Sequence, residues 1–232
     1  MIHIGTSGYS YPEWRGSFYP ADLAASKMLP YYADRLSTVE INNTFYRLPS
    51  EKVLAGWAEQ TPPGFVFTLK APRRITHEAR LRDCEELTAV FAARAQTLGS
   101  KLGVLLFQLP PWFRKDLKVL EAFVDQVPSG VRAAFEFRHA SWLADDVYDC
   151  LRAKNLALCV ADTADTTTPL VSTAGYGYFR LRDEGYREPD IREWAATIVR
   201  QASDWKDVFV YFKHEEEGKG AEFAQLLAGM IS

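Results

Sequence analysis

Cysteine and histidine are scarce, with 3 Cys and 4 His in 232 residues. Cys84, Cys150 and Cys159 are scattered without C-x-x-C spacing, which excludes a disulfide-stapled secreted scaffold and a cysteine-rich zinc site. Reduced thiols in a cytoplasmic protein are expected instead. No uninterrupted apolar run approaches the ~18 residues of a membrane span. Met1-Ile2-His3-Ile4-Gly5 lacks the basic stretch and apolar segment of a secretory leader, so none is expected. A basic excess is absent too: 27 Lys and Arg face 30 Asp and Glu, a net charge of -3 with pI near 5.9. That argues against a non-specific nucleic-acid binder, while leaving a local basic patch open. No linker or compositional break divides the chain, so a single domain over 1–232 is expected.

What the chain has is apolar and aromatic substance, 47% hydrophobic with 13% Phe, Trp and Tyr. Short β-like runs recur at 2–5, 38–42, 65–70, 102–108, 134–138, 156–162, 176–182 and 207–213. Leu102-Gly103-Val104-Leu105-Leu106-Phe107-Gln108 is apolar throughout, as a strand buried on both faces must be. Helical patterns follow nearly every run, at 27–35, 51–59, 84–98, 117–127, 145–154, 189–202 and 220–230, with Ser50 as a cap and Gly99 as a stop. The exception is 163–174, which reads as an irregular segment in place of the helix after strand six. Eight strands, all but one followed by a helix, in a chain of this length predict an α/β fold, a TIM-type (β/α)8 barrel of parallel strands.

In such a barrel the C-terminal strand ends and the loops after them carry the chemistry. Those ends are polar here: Ser7, Glu40 and Asn42, Lys70, Gln108, Glu136 and Arg138, Asp162, Arg180 and Arg182, Lys213 and His214. Side chains alternate faces along a strand, so Glu40 with Asn42, Glu136 with Arg138, and Arg180 with Arg182 each share a face. Ile41, Phe137 and Leu181 then point outward beneath helices. A lone polar strand end means nothing; the same arrangement on strand after strand predicts a charged cup. Several arginines beside one cup suit a carboxylate, phosphate or phosphodiester. The Arg73–Arg82 run fits either that cup or a solvated loop with its own ion pairs.

Glu40, Glu136, Asp162 and His214 are the acid–base candidates. Ser7, Tyr9, Asn42, Tyr46, Lys70, Gln108, Arg138, Trp142, Arg180, Arg182 and Lys213 are the substrate-binding candidates. Gly5-Thr6-Ser7-Gly8-Tyr9 lacks the G-x-S-x-G context of a nucleophile elbow. Gly218-Lys219-Gly220 before the last helix has the form of an anion-binding helix start, though also of an ordinary cap. Tyr9, Tyr11, Trp14, Tyr46, Trp112 and Trp142 all follow strands on the same end. There they either stack on a sugar or base or pack the loops together, the latter suiting Trp14 and Trp142 better. No cofactor is predicted. A divalent metal on Glu40, Glu136, Asp162 and His214 is the lesser reading, because nearby lysine and arginines oppose it. His139 reads as a structural strand-end histidine, and Cys159 as core.

Gly5-Thr6-Ser7-Gly8-Tyr9, Val39-Glu40-Ile41-Asn42-Asn43-Thr44-Phe45-Tyr46, Phe65–Lys70, Phe107-Gln108-Leu109-Pro110-Pro111 and Phe135-Glu136-Phe137-Arg138-His139-Ala140-Ser141-Trp142 together resemble the DUF72 (YecE-like) family. The resemblance spans essentially the whole chain and implies a TIM-type barrel. It implies no activity, since the family's biochemical role is unassigned. Many members carry His-Gly after the seventh strand and an Asn-rich segment after the eighth. Arg182-Asp183-Glu184-Gly185 and Lys213-His214-Glu215-Glu216-Glu217 stand there instead.

Three functions follow as expectations. The first is an enzyme of hydrolase, lyase or isomerase type, working by carboxylate acid–base chemistry on a small anionic or sugar-like substrate. The second is a metal-dependent phosphoester hydrolase, acting on nucleic acid among other substrates. The third is a non-catalytic binder of nucleic acid or an anionic metabolite. Oligomeric state cannot be read from the chain.

Overall fold

The computed structural model describes residues 1–214 and 216–231. Glu215, within the departing segment after the eighth strand, and Ser232 lie outside the described residues. Eight parallel strands close into a barrel in sequence order: β1 (Ile2–Ser7), β2 (Thr38–Ile41), β3 (Val66–Lys70), β4 (Leu102–Gln108), β5 (Ala133–Glu136), β6 (Ala157–Asp162), β7 (Tyr176–Leu181) and β8 (Asp207–Phe212). β8 pairs back onto β1, Ile4 opposite Val210, which closes the ring and leaves no sheet edge.

The helices are α1 (Met28–Ala33), α2 (Glu51–Glu59), α3 (Glu85–Ala95), α4 (Leu117–Val124), α5 (Asp145–Ala153), α6 (Glu188–Gln201) and α7 (Lys219–Ile231). Among the described residues none forms between β6 and β7, as the polar, threonine-rich 163–174 segment foreshadows. Ser50 caps α2 by accepting from the Val53 amide. α3 ends at Ala95, short of the anticipated Leu98, and a 3-10 stretch continues to Lys101. Gly99 turns the chain there with φ 57, a left-handed conformation that costs glycine little. The basic segment after β3 winds into a π-helical turn, Arg74–Glu78, where a loop was anticipated.

Alternation along the strands separates two apolar regions. Val104, Leu106, Ala134, Cys159, Tyr178 and Tyr211 fill the barrel interior. Ile41, Phe107, Phe135, Phe137, Leu158, Val160, Leu181 and Phe212 belong to the larger layer between strands and helices. Phe107 stacks on Phe135 at 5.3 Å and meets Phe123 of α4 edge-on, fixing how α4 sits on the sheet. Ile41, Phe137 and Leu181 therefore lie outward as parity requires, which leaves Glu40, Glu136 and Arg180 directed inward.

Candidate functional site

At the C-terminal end of the barrel the inward residues meet in one hydrogen-bonded charge cluster. Arg180, 1% exposed, extends from β7 across the barrel to β2 and β5. Its Nη2 and Nε donate to Glu40 Oε1 at 2.7 and 3.2 Å, its Nη1 donates to Glu136 Oε2, and Nη2 lies 3.2 Å from Ser7 Oγ. Glu40 also accepts from the Ser7 hydroxyl and the Tyr178 hydroxyl, each at 2.5 Å. Asn42 Nδ2 donates to Ser7 Oγ at 2.7 Å. Gly8, with φ 97, turns the chain just beyond Ser7, and its amide donates to the Glu40 carbonyl, tying that turn to β2.

Glu136, also 1% exposed, receives Gln108 Nε2 on both oxygens at 2.9 Å and Arg138 Nε on Oε1 at 2.8 Å. Arg182 Nη1 stands 3.6 Å from the same oxygen. Burial alone pushes the Glu136 carboxyl up. The Arg180, Arg138 and Arg182 guanidinium groups outweigh it and hold the carboxyl well below the usual carboxylate range. Glu136 is thus ionised at neutral pH and is no proton donor there. Burial likewise opposes the Arg180 charge, but Glu40 and Glu136 hold that guanidinium well above its ordinary value. With these partners the buried charges are fully paired, the condition under which such a cluster is tolerated.

Lys70 differs. It ends β3 half-buried, with Nζ 4.3 Å over the Phe45 ring. Among the described residues no carboxylate stands within ion-pair distance of it. Burial and the Arg180 charge pull its pKa down to about 8. His77 stands edge-on to Phe45 at 4.9 Å and to Trp112 at 6.1 Å. Burial, then the charges of Lys70, Arg138 and Arg73, lower its pKa to about 4, so the imidazole is neutral at pH 7. Tyr46, 80% exposed, and Trp112, 66% exposed, flank this cationic wall through Phe45 and His77.

Not every candidate joins the cluster. Asp162 follows Leu158 and Val160 onto the outer face of β6. There it accepts from the Tyr186 and Thr167 hydroxyls and from Trp194 Nε1 at 3.2 Å, beneath α6. His214 also turns outward: its Nε2–H donates to the Asp183 carbonyl at 2.7 Å and its ring packs among Tyr186, Phe212 and Phe223. The proposed metal set of Glu40, Glu136, Asp162 and His214 is therefore not assembled. Among the described residues no group of three or more His, Cys, Asp and Glu is placed to hold an ion.

Trp142 is fully buried in the outer layer, stacked on Phe137 at 4.9 Å, with Nε1 donating to the Phe113 carbonyl at 2.7 Å. It is a packing residue and has no surface for a ligand. Tyr9 sits 6.1 Å from Tyr32 beside the aromatic cluster of Trp14, Phe18 and Tyr19 that consolidates the first loop. Arg73 and Arg82 engage Glu78 and Asp116 at the surface, the solvated alternative for that run. Lys219 pairs with Glu222 instead of presenting a free cation at the start of α7. Lys213, half-buried after β8, lines with Arg182, His214, Tyr186 and Phe223 a cleft of about 810 Å³ beside the cup. His139 accepts from the Ser141 amide as a local cap.

Two site residues escape a reading of strand ends alone. Tyr178 precedes Arg180 by two and so shares its face, a signal present in Tyr178-Phe179-Arg180. His77 has no comparable mark, since only the π-helical turn brings it beside Lys70.

Fold and cluster together define a TIM-type barrel with a charged cup at its C-terminal end. Residues 3–232 match the family described as "Protein of unknown function DUF72". The chain belongs to that family. It is 35% identical over 145 residues to the UPF0759 protein YecE of Escherichia coli K12, covering 62% of this chain and 51% of YecE. The chain thus spans about half the length of that relative. A DUF72 family protein from Thermotoga maritima superimposes with TM-score 0.90 at 28% identity, covering 100% of this chain and 99% of the other. A glycoside hydrolase family 5 enzyme from Prevotella bryantii matches with TM-score 0.54 at 10% identity, covering 99% and 94%, a likeness of fold alone.

Proposed function

We propose that the chain is an enzyme acting on a small anionic or sugar-like substrate in the C-terminal cup, by hydrolase, lyase or isomerase chemistry. One observation carries this reading: among the described residues Arg180, Arg138 and Arg182 share only two carboxylates, Glu40 and Glu136, and Lys70 beside them pairs with neither. Arg180 is consumed by those carboxylates, so Lys70, Arg138 and Arg182 supply a positive surplus that an anion neutralises. Arg138 and Arg182, partly exposed, are the bidentate arms for a carboxylate or phosphate. Tyr46 and Trp112 offer ring faces at the rim for the body of the substrate.

In this reading Glu136 stays ionised and fixes the arginines around it, and it is not the general acid. Glu40 is the second carboxylate, oriented by Ser7 and Tyr178, while Asn42 orients Ser7 and Gln108 orients Glu136. Arg182 and Lys213 also reach the adjoining cleft, where Glu184, Glu188, Glu216 and Glu222 line the wall with them. A thermal-shift screen of phosphorylated and carboxylated metabolites tests the assignment. Anions are expected to raise the Tm of the parent and to do so less for Glu136→Gln, whose arginines lose their anchor. A screen in which no anion raises the Tm sinks the proposal. Equal shifts in both proteins reduce Glu136 to scaffolding.

A further inference from the structure

We propose that Lys70 is the reacting group of the cup, an amine that forms an imine with the carbonyl carbon of a small anionic aldehyde or ketone. This names a substrate class for the site and rests on the anion-binding reading above. The geometry sets Lys70 apart from the well-anchored lysines. Lys101 donates to three oxygens of Ala58 and Thr61 at 2.6 to 2.9 Å. Lys115, Lys154 and Lys219 each meet a carboxylate within 2.8 Å. The Lys70 Nζ, at the mouth of the barrel, has neither a hydrogen-bond acceptor nor a carboxylate partner among the described residues. It lies over an aromatic face.

The charged and titratable groups acting on it come from every side: Arg180 of β7, Glu40 of β2, Glu136 and Arg138 at the end of β5, and His77 of the turn after β3. Their balance with burial enlarges the fraction of neutral amine, which at a pKa of about 8 is roughly a tenth of the population at pH 7. Desolvation beside another cation is a recognised way to make a lysine nucleophilic. With Arg138 and Arg182 holding the anionic group, the neutral amine adds its lone pair to the carbonyl carbon. The carbonyl π pair moves to oxygen, which gains the proton that nitrogen sheds. Loss of water from the carbinolamine leaves the C=N bond.

Pyridoxal 5′-phosphate, an aldehyde bearing a phosphate, is a suitable probe on the intact chain. Brief exposure, borohydride reduction of the imine to a secondary amine, and peptide mass mapping read which lysine reacts. Lys70 is expected to label at least tenfold faster than exposed lysines such as Lys52 and Lys118. Phosphate-free pyridoxal should label it at least tenfold more slowly, and inorganic phosphate should protect it. Lys70→Arg, checked for an unchanged Tm, should lose the label. Labelling spread evenly over surface lysines overturns the proposal. A phosphate-induced rise in Tm without preferential labelling of Lys70 removes the imine and leaves the anion cup standing. Equal labelling by both aldehydes with no Tm rise removes the anion cup, and with it the anionic carbonyl substrate.

Discussion

The two ends of the barrel both hold partly buried cations, and they treat them oppositely. At the N-terminal end, Arg132 donates to Asp207 at 2.8 Å and to the Gly103 carbonyl at 3.2 Å, and Lys101 is saturated by three oxygens. The amino terminus adds a contact to the Lys206 carbonyl at 2.5 Å, and His3 stacks on Phe209 at 5.0 Å. Arg132, Lys101 and the amino terminus have each found oxygen partners within the chain. At the C-terminal end the cluster satisfies Arg180 completely, yet among the described residues it leaves Lys70 unpaired and lets Arg138 and Arg182 share an already crowded Glu136. Fully paired charge is tolerated in a fold; surplus charge of one sign costs stability that a bound counter-ion would restore.

Removing the central cation of each end should separate them most widely. Arg180→Met strands two buried carboxylates and is expected to cost roughly 3–5 kcal/mol in urea unfolding, whereas Arg132→Met, at a half-exposed pair, costs about 1 kcal/mol or less. Equal losses would erase the distinction between the ends. Acid should expose the same asymmetry. Because Glu136 has a depressed carboxyl pKa in the folded protein, its contribution is fully present above the unfolded value of ~4.3 and is lost as pH falls toward the folded one. The loss amounts to about 1.4 kcal/mol per pH unit in that window. Urea midpoints at pH 7 and pH 3 should therefore fall further for the parent than for Glu136→Gln, and matching declines would contradict the clustered arginines.

The lysines give a smaller contrast. Lys101→Met leaves oxygens without their donor and should lower stability by about 1 kcal/mol. Lys70→Met removes an unpaired charge and should lower it not at all at pH 7. For a lysine whose folded pKa lies below its unfolded one, the unfolded chain binds more protons between about 8 and 10.5, so stability rises with pH across that window. The parent should show this rise relative to Lys70→Met; a fall would reverse the placement of Lys70. Smallest of all, Tyr46→Ala at the exposed rim should change stability by less than about 0.5 kcal/mol, so that any loss of ligand-induced Tm shift reports contact with the ligand.

Much of this architecture is legible in strand parity. Glu40, Glu136 and Arg180 were readable as inward because Ile41, Phe137 and Leu181 are large and apolar, and large residues belong under the helices. The same rule, applied to the residues before them, would have turned Asp162 outward: Leu158 and Val160 share its face, whereas Ala157, Cys159 and Ala161 are small enough for the narrow interior. His214 follows Val210 and Phe212 outward likewise. Trp142 and His77 lay beyond such reasoning. Their surroundings are made by a short 3-10 turn and a π-helical turn, and neither has a period for a sequence pattern to reveal.

The surplus positive charge at the mouth is most directly tested by soaking crystals of the protein with tungstate, a phosphate-like anion whose anomalous scattering marks its position. The anion should lie among Lys70, Arg138 and Arg182 at the C-terminal mouth, with the N-terminal end empty. Tungstate seated beside Arg132 and Lys101, or found nowhere in the cup at saturating concentration, would contradict the account.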